Sequence, residues 1–472
     1  MRLRPLLAVL ALIAAVTAGV ALFPQPATAP PVEHAQLAGP GGPAPAPRDV
    51  IVRFERGAEP AERAAVRRAA DVELRRTLPV DGMQLVRPAP GRTARAAADE
   101  LEDAPGVLYA EPDHVRRALA TPDDQFFPLL WGLHNTGQRV AGTTGTTDVD
   151  IDAPEAWDRT TGAAGIVVAV ADTGLDAAHP DLAPNLWRNP DELVNGRDDD
   201  GNGLVDDVHG WDFAGRDADP ADVDGHGTHV AGTIGARGND RTGVAGVAWR
   251  TSLLPLRVLG DDGNGSVSAL IGGYAYARQK GVRLLNASLG GSAFSRAERD
   301  AIAAARDTLF IAAAGNDGAD NDAAPTYPCA YDLPNVICVA AIDANGALAT
   351  FSNRGARTVD LAAPGVNTAS TYPGGRWVFL DGTSMATPHV SGVAALAWAA
   401  APAATVADVR RALLDTTVPL PTLVGQTVTG GLVNARAAID AIAPTAAAAP
   451  EQESAPEQPA PEQPAPDQPA RD

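Results

Sequence analysis

Three short stretches hold the residue types that acyl transfer needs. Ala171-Asp172-Thr173-Gly174 sets a carboxylate at the end of an apolar run. Asp224-Gly225-His226-Gly227-Thr228-His229 sets a histidine between two glycines, at the start of a helix of small residues. The stretch 381–392, D-G-T-S-M-A-T-P-H-V-S-G, sets Ser384 where small and apolar residues take up near-helical spacing. A serine at a helix start meets unpaired backbone N–H groups, which favour negative charge. Serine is a weak nucleophile at neutral pH, so a histidine must take its proton. A buried aspartate must then fix the imidazole tautomer and stabilise its cation. Each residue alone has an ordinary reading: Asp172 as a turn residue, Ser384 as an N-cap, and Asn316, beyond another apolar run, as a loop cap.

The elements that would position these groups alternate between strand and helix. Run 166–171 is continuous in β-branched and small residues, as strands buried on both faces are, and runs 252–259, 282–286, 309–314 and 336–341 look similar. Between them, 266–280 reads as a helix that Ser266 caps and Gly281 ends. The expected fold is α/β, a mainly parallel sheet with helices on both faces, in three layers. Functional groups of such sheets gather beyond the carboxyl ends of the strands, where Asp172 and Asn316 fall.

The chain order Asp, His, Ser separates this chain from nucleophile-elbow hydrolases (Ser, acid, His) and from chymotrypsin-like enzymes (His, Asp, Ser). With these three motifs, Trp131-Gly132-Leu133, Asn286-Ala287-Ser288-Leu289-Gly290-Gly291 and Gly431-Leu432-Val433-Asn434-Ala435, the chain resembles the subtilisin-like serine peptidases over about residues 131–441. The resemblance implies that Asp172 orients, His226 acts as general base and acid, and Ser384 attacks. It implies an oxyanion site made by the Asn316 side chain and the Ser384 N–H, and a substrate-binding edge of Ser288, Leu289 and Gly290 with Ala314 and Gly315. Asp317 would sit at the rim, favouring basic or polar side chains. The partner is then an extended polypeptide. Two other functions fit parts of the pattern: an esterase on the same triad, and a non-enzymatic, calcium-dependent binding module. His229 and His389 read as packed helical residues, since a metal pair at 226 and 229 lacks a third ligand. Asp381 departs from the neutral residue usual in the family.

A structural calcium ion is the expected cofactor. Asp198, Asp200 and Asn202 alternate before a glycine, like the first half of a calcium loop; His209 stands where the closing glutamate belongs, leaving Asp206 or Asp207 to substitute. The resemblance implies a second site from Asp181 and Asp240 with carbonyls of Gly238, Thr242 and Val244, its N-terminal ligand unassigned.

The formal charge of −21 argues against a nucleic-acid partner. Up to Thr121 the chain holds 15 basic and 14 acidic residues, so the excess lies beyond it. Residues 1–29 have the charged, apolar and small-residue order of a secretory signal, or of an anchor if left uncut, and a secreted monomer is expected. Residues 30–47 form a Pro/Ala-rich linker. Residues 48–115 form a small α+β, ferredoxin-like unit with helices at 58–70 and 93–101. By resemblance this unit is an inhibitory prodomain, 116–125 a processing linker, and 126–443 the peptidase domain. Residues 444–472 read as a disordered tail rich in Pro, Glu and Gln. In an exported chain, Cys329 and Cys338 are expected to form one local disulfide.

Overall fold

The computed structural model describes residues 48–113 and 121–443. The expected signal, linker and tail, and the first half of the processing segment (116–120), lie outside these residues.

The N-terminal unit runs β1 (Val50–Phe54), α1 (Pro60–Ala69), β2 (Val72–Thr77), β3 (Met83–Pro88), α2 (Ala94–Glu102) and β4 (Val107–Pro112). Its antiparallel sheet has the order β2-β3-β1-β4, as in a ferredoxin-like unit. Alternation along β1 buries Val50, Val52 and Phe54, which pack with Ala97, Ala98 and Leu101 of α2. Thr93 caps α2 by accepting the Ala96 N–H. The sequence pattern does not mark β2, because only Val72 of its six residues is buried.

The body is built on a nine-stranded sheet. Its elements in chain order are β5 (Gly162–Asp172), β6 (Trp211–Asp212), α3 (His226–Gly235), β7 (Arg250–Arg257), α4 (Val267–Gln279), β8 (Leu284–Ala287), α5 (Arg296–Ala304), β9 (Leu309–Ala313), β10 (Val336–Ile342) and β11 (Leu361–Pro364). A separate hairpin follows, β12 (Thr368–Tyr372) and β13 (Arg376–Leu380), then α6 (Thr383–Ala400), α7 (Val406–Asp415), β14 (Val418–Pro419), β15 (Gly431–Leu432) and α8 (Ala435–Ile442). The sheet order is β14-β15-β11-β10-β9-β8-β5-β7-β6, parallel except at the β14–β15 edge. All of β10 is buried, as its uninterrupted apolar run requires.

Helix α6 lies against β5, β8, β9, β10 and β11, at the centre of the body. It buries every residue except Ser384 and its last two alanines. A helix apolar all round can persist only inside a core. Close packing depends on Gly392, where an added Cβ would stand 2.3 Å from the Val247 Cβ. Cys329 and Cys338 are joined in a disulfide that ties the loop after β9 to β10. No helix among the described residues is long and apolar enough to cross a membrane.

Candidate active site

The sheet delivers its functional groups along one edge. Asp172 ends β5, Ser288 follows β8, and Asn316 stands three residues past β9. Two helix starts complete the edge: His226 is the first residue of α3 and Ser384 the second of α6.

Asp172 is fully buried, and its Oδ1 lies 2.7 Å from His226 Nδ1. The same oxygen accepts the Thr173 N–H at 2.8 Å. With Nδ1–H donated to a carboxylate, the histidine keeps Nε2 as its free base. Burial works against charge on the ring, yet the charge and hydrogen bond of Asp172, with Asp224 and Asp222, outweigh it. The His226 pKa is therefore raised above 6.5. Approach of α3 to the strand end requires glycine at 227, where a Cβ would sit 2.2 Å from the Gly174 carbonyl oxygen.

Ser384 Oγ donates to the Ser288 carbonyl at 3.1 Å, and Ser288 Oγ donates to the Ser384 carbonyl at 2.8 Å. The second bond has a cause in the sequence. Pro388 lies four residues after Ser384, inside α6, and has no N–H to give that carbonyl. Asn316 is exposed, and its Oδ1 accepts both the Thr383 N–H and the Thr383 hydroxyl at 2.9 Å. Those two donors fix the amide's orientation, so Nδ2 remains the outward donor. A Cβ at Gly382 would lie 3.5 Å from both Asn316 Nδ2 and the Ser384 N, so the two donors are near neighbours. This arrangement suits an oxygen that gains negative charge.

Leu289 is half-buried and Gly290 exposed, while Gly291 pairs with Tyr327 in both directions at 2.9 and 2.8 Å. Ala314 is fully buried, and its carbonyl already accepts from Asn321 and Asn353. Gly315 takes φ +108°, and its N–H donates to Thr383 Oγ1 at 3.2 Å. Asn353 also accepts the Asp317 N–H at 3.0 Å, and nothing in the sequence pattern marks this residue. Asp317 is exposed. Asp381 is exposed too and accepts the Asn367 N–H at 2.5 Å.

Two further histidines on the helices are packed. His229 is fully buried, with Nε2 3.0 Å from the Thr368 carbonyl oxygen, and burial lowers its pKa to about 3. His389 donates from Nδ1 to the Met385 carbonyl at 2.9 Å, and burial lowers it to about 4.

Two acidic groupings have metal-like chemistry. Asp181 Oδ2 accepts the Val244 N–H at 2.9 Å and Trp377 Nε1–H at 2.7 Å, while buried Oδ1 has no protein partner. Asp124 accepts the N–H groups of Asn239 and Asp240. Burial, together with the charges of its acidic neighbours, raises Asp181 to about 7 and Asp124 to about 6. Asp240 adds charge to both, its own Oδ1 accepting the Thr242 N–H. Asp124 was not identified by spacing, because its neighbours here come from distant loops. A cation fits this grouping, given the orphaned Asp181 oxygen and the crowding of carboxylates.

In the acidic loop, Glu192, Asp198 and Asp200 bring carboxylate oxygens within 4.8 Å of one another. Asp200 also pairs with Lys280, so part of this charge is already met. Asn202 is turned to Leu204 and Asp207, and Asp206 to the N–H groups of Asn195 and Gly196. The loop therefore draws in Glu192, six residues before the alternating motif, and its carboxylates, Glu192 and Asp198 included, also accept the loop's own N–H groups.

A serine, a histidine–aspartate pair and two convergent N–H donors on the carboxyl edge of a parallel sheet define a serine hydrolase of the α/β class. Comparison narrows the class: the chain belongs to the subtilase family, whose model matches residues 163–448. The fervidolysin N-terminal prodomain model matches residues 33–113. The chain is 38% identical over 305 residues to a thermophilic serine proteinase of Bacillus sp. (strain AK1), covering 64% of this chain and 65% of that one. It is 40% identical over 248 residues to thermitase of Thermoactinomyces vulgaris, covering 52% of this chain and 79% of thermitase. A solved protease of Pseudoalteromonas arctica superposes with a TM-score of 0.55 at 33% identity, covering 68% of this chain and 100% of that one. The chain is a subtilisin-like serine endopeptidase with a prodomain.

Proposed function

We propose that this endopeptidase cuts extended polypeptides through an acyl-enzyme formed on Ser384. The Asp172–His226 hydrogen bond, with Ser384 and Asn316 on the same sheet edge, supports the reading; the Ser384 hydroxyl, donated here to the Ser288 carbonyl, turns to His226 Nε2 for attack. His226 Nε2 takes the Ser384 proton as Oγ attacks the scissile carbonyl, and later gives it to the leaving amine. Asp172 holds the ring in the required tautomer and offsets the cation. Asn316 Nδ2 and the Ser384 N–H receive the developing oxyanion. Residues 288–290 align the substrate by strand pairing, whereas the backbone groups of Ala314 and Gly315 are held within the fold by Val339, Asn321, Asn353 and Thr383 and take no part in that pairing. Water then repeats the attack on the acyl-enzyme with the same proton shuttle.

The raised His226 pKa sets the pH dependence. The neutral ring is the active form, so kcat/KM on a peptide substrate is expected to rise with a midpoint above pH 6.5. The stability linkage has the opposite sense: a raised folded-state pKa stabilises below the unfolded value, and that contribution is lost as pH rises through the folded value. A midpoint at or below 6.5, or organophosphate labelling that maps away from Ser384, overturns the assignment.

The unit 48–115 serves as the intramolecular inhibitor and leaves by self-cleavage within 116–125, after export directed by residues 1–29. Calcium is held by Asp181, Asp124 and Asp240, and a second ion by Glu192, Asp198 and Asp200. A bound calcium ion supplies positive charge that neutralises these carboxylates. Asp124 otherwise tethers the segment entering the body to Asn239 and Asp240, and Asp181 holds the Val244 N–H. Chelator is expected to lower the melting midpoint, since a ligand of the native state at 100 times its Kd stabilises by about 2.7 kcal/mol. An unchanged midpoint with excess chelator removes calcium from the account.

A further inference from the structure

The Asp172–His226 bond joins a strand end to a helix start that are 54 residues apart, and something must hold them in register. Asp222, 8% exposed in the loop before α3, does this with four hydrogen bonds. Its Oδ1 accepts the Thr173 hydroxyl at 2.9 Å and the Gly225 N–H at 2.8 Å. Its Oδ2 accepts the Thr228 N–H at 2.8 Å and the Thr228 hydroxyl at 2.6 Å. Thr173 Oγ1 in turn accepts the Gly227 N–H at 2.9 Å. One carboxylate thus grips the residue after Asp172, the residue before His226 and the second residue after it. The N-cap of α3 is Gly225, which has no side chain to do this.

Asp222 makes no ion pair with Lys or Arg among the described residues. Its charge is met by N–H groups, hydroxyls and the positive end of α3. The ionisable groups acting on His226 are Asp172 from β5, Asp224 and Asp222 from the loop, and the neutral, buried His229 from α3. From the hairpin, the Tyr372 hydroxyl is committed to the Asp224 carbonyl at 2.8 Å.

We infer that Asp222 is a positioning residue of the peptidase site, which locks the Asp172–His226 pair in register and lends negative charge to the imidazolium formed during catalysis. This rests on the catalytic reading above. When His226 takes the Ser384 proton, the positive charge arises beside two fixed carboxylates, Asp172 in direct contact and Asp222 behind the turn. The Asp222 carboxylate is held by Thr173, Gly225 and Thr228 and does not contact the reacting atoms.

The test compares the full chain as wild type, Asp222→Asn, Thr173→Val and His226→Ala, each matured where necessary by added wild-type enzyme that is then inhibited and removed. Asp222→Asn is expected to move the acid limb of kcat/KM down by about 0.5–1 pH unit and to lower kcat at least ~10-fold, with KM little changed. Thr173→Val keeps the charge and removes two ties, to Asp222 and to the Gly227 N–H, so kcat should fall while the acid limb stays in place. An Asp222→Asn enzyme with the wild-type acid limb and kcat overturns the inference, even if its melting midpoint drops. If Asp222→Asn does not fold, Thr173→Val decides: wild-type kcat in that variant overturns the positioning role. Full activity in His226→Ala would sink the catalytic reading itself, a result separate from either of these.

Discussion

Ser384→Ala is expected to abolish peptide hydrolysis and to leave the N-terminal unit attached. Loss of the nucleophile alone costs about 10⁶-fold in kcat, a figure that comes from another subtilase. The residual rate reflects binding and oxyanion donors that the substitution leaves in place. Removing Oγ should barely disturb the fold, because the hydroxyl makes one bond, to the Ser288 carbonyl, at a partly exposed position. The measurement is the intact mass of the secreted product beside a casein assay. Wild type should appear without residues up to the processing segment, and the variant should retain them. Processing of the purified variant with no added protease would contradict self-cleavage, whereas residual casein hydrolysis at wild-type rate would contradict the assignment of Ser384.

The second large effect is expected at Asn316. Replacing it with leucine, close in size, should lower kcat by about 10²–10³ with little change in KM, again a size known from another subtilase. The reason lies in the division of the amide. Oδ1 is committed to Thr383, so only Nδ2 serves the reacting carbonyl. Leucine also strips Thr383 N–H of its acceptor, which should cost about 1 kcal/mol or more of stability. Comparing kcat with the melting midpoint separates these losses. A KM effect without a kcat effect would mean that Asn316 holds the ground state rather than the oxyanion.

The parts of the site legible in the sequence were those whose chemistry dictates residue type. Asp172, His226 and Ser384 each announce themselves through glycines or a strand end, and their order limits the fold. The central strands were legible because burial on both faces leaves an unbroken apolar run. Other parts depend on tertiary context that no local pattern carries. The hairpin β12–β13 is one: Ser370 and Thr371 look polar, yet their hydroxyls are buried against the carbonyls of His229 and Thr228, at 2.7 Å each. Asp124 is another, because its value as an anchor comes from Asp181 and from a loop more than a hundred residues away. Asn353 holds the Ala314 carbonyl and the Asp317 N–H from 36 or more residues beyond them. Its type alone says nothing of that. In the N-terminal unit, β2 was missed because it is a nearly unburied edge.

The central position of α6 has a consequence for the order of events in the chain's life. Every strand from β5 to β11 is synthesised before the helix that fills the space beneath them, and Ser384 arrives 212 residues after Asp172. The body's contacts are mostly distant in sequence and therefore slow to form, and without α6 the strands it covers would lack that cover. A nascent chain is consequently unable to digest itself or its neighbours during synthesis, since the nucleophile is the last piece to enter. The small N-terminal unit is the reverse case: its six elements close on one another within a single short span and can be complete long before the body. Time order along the polypeptide thus places the N-terminal unit first and the nucleophile last among the site residues.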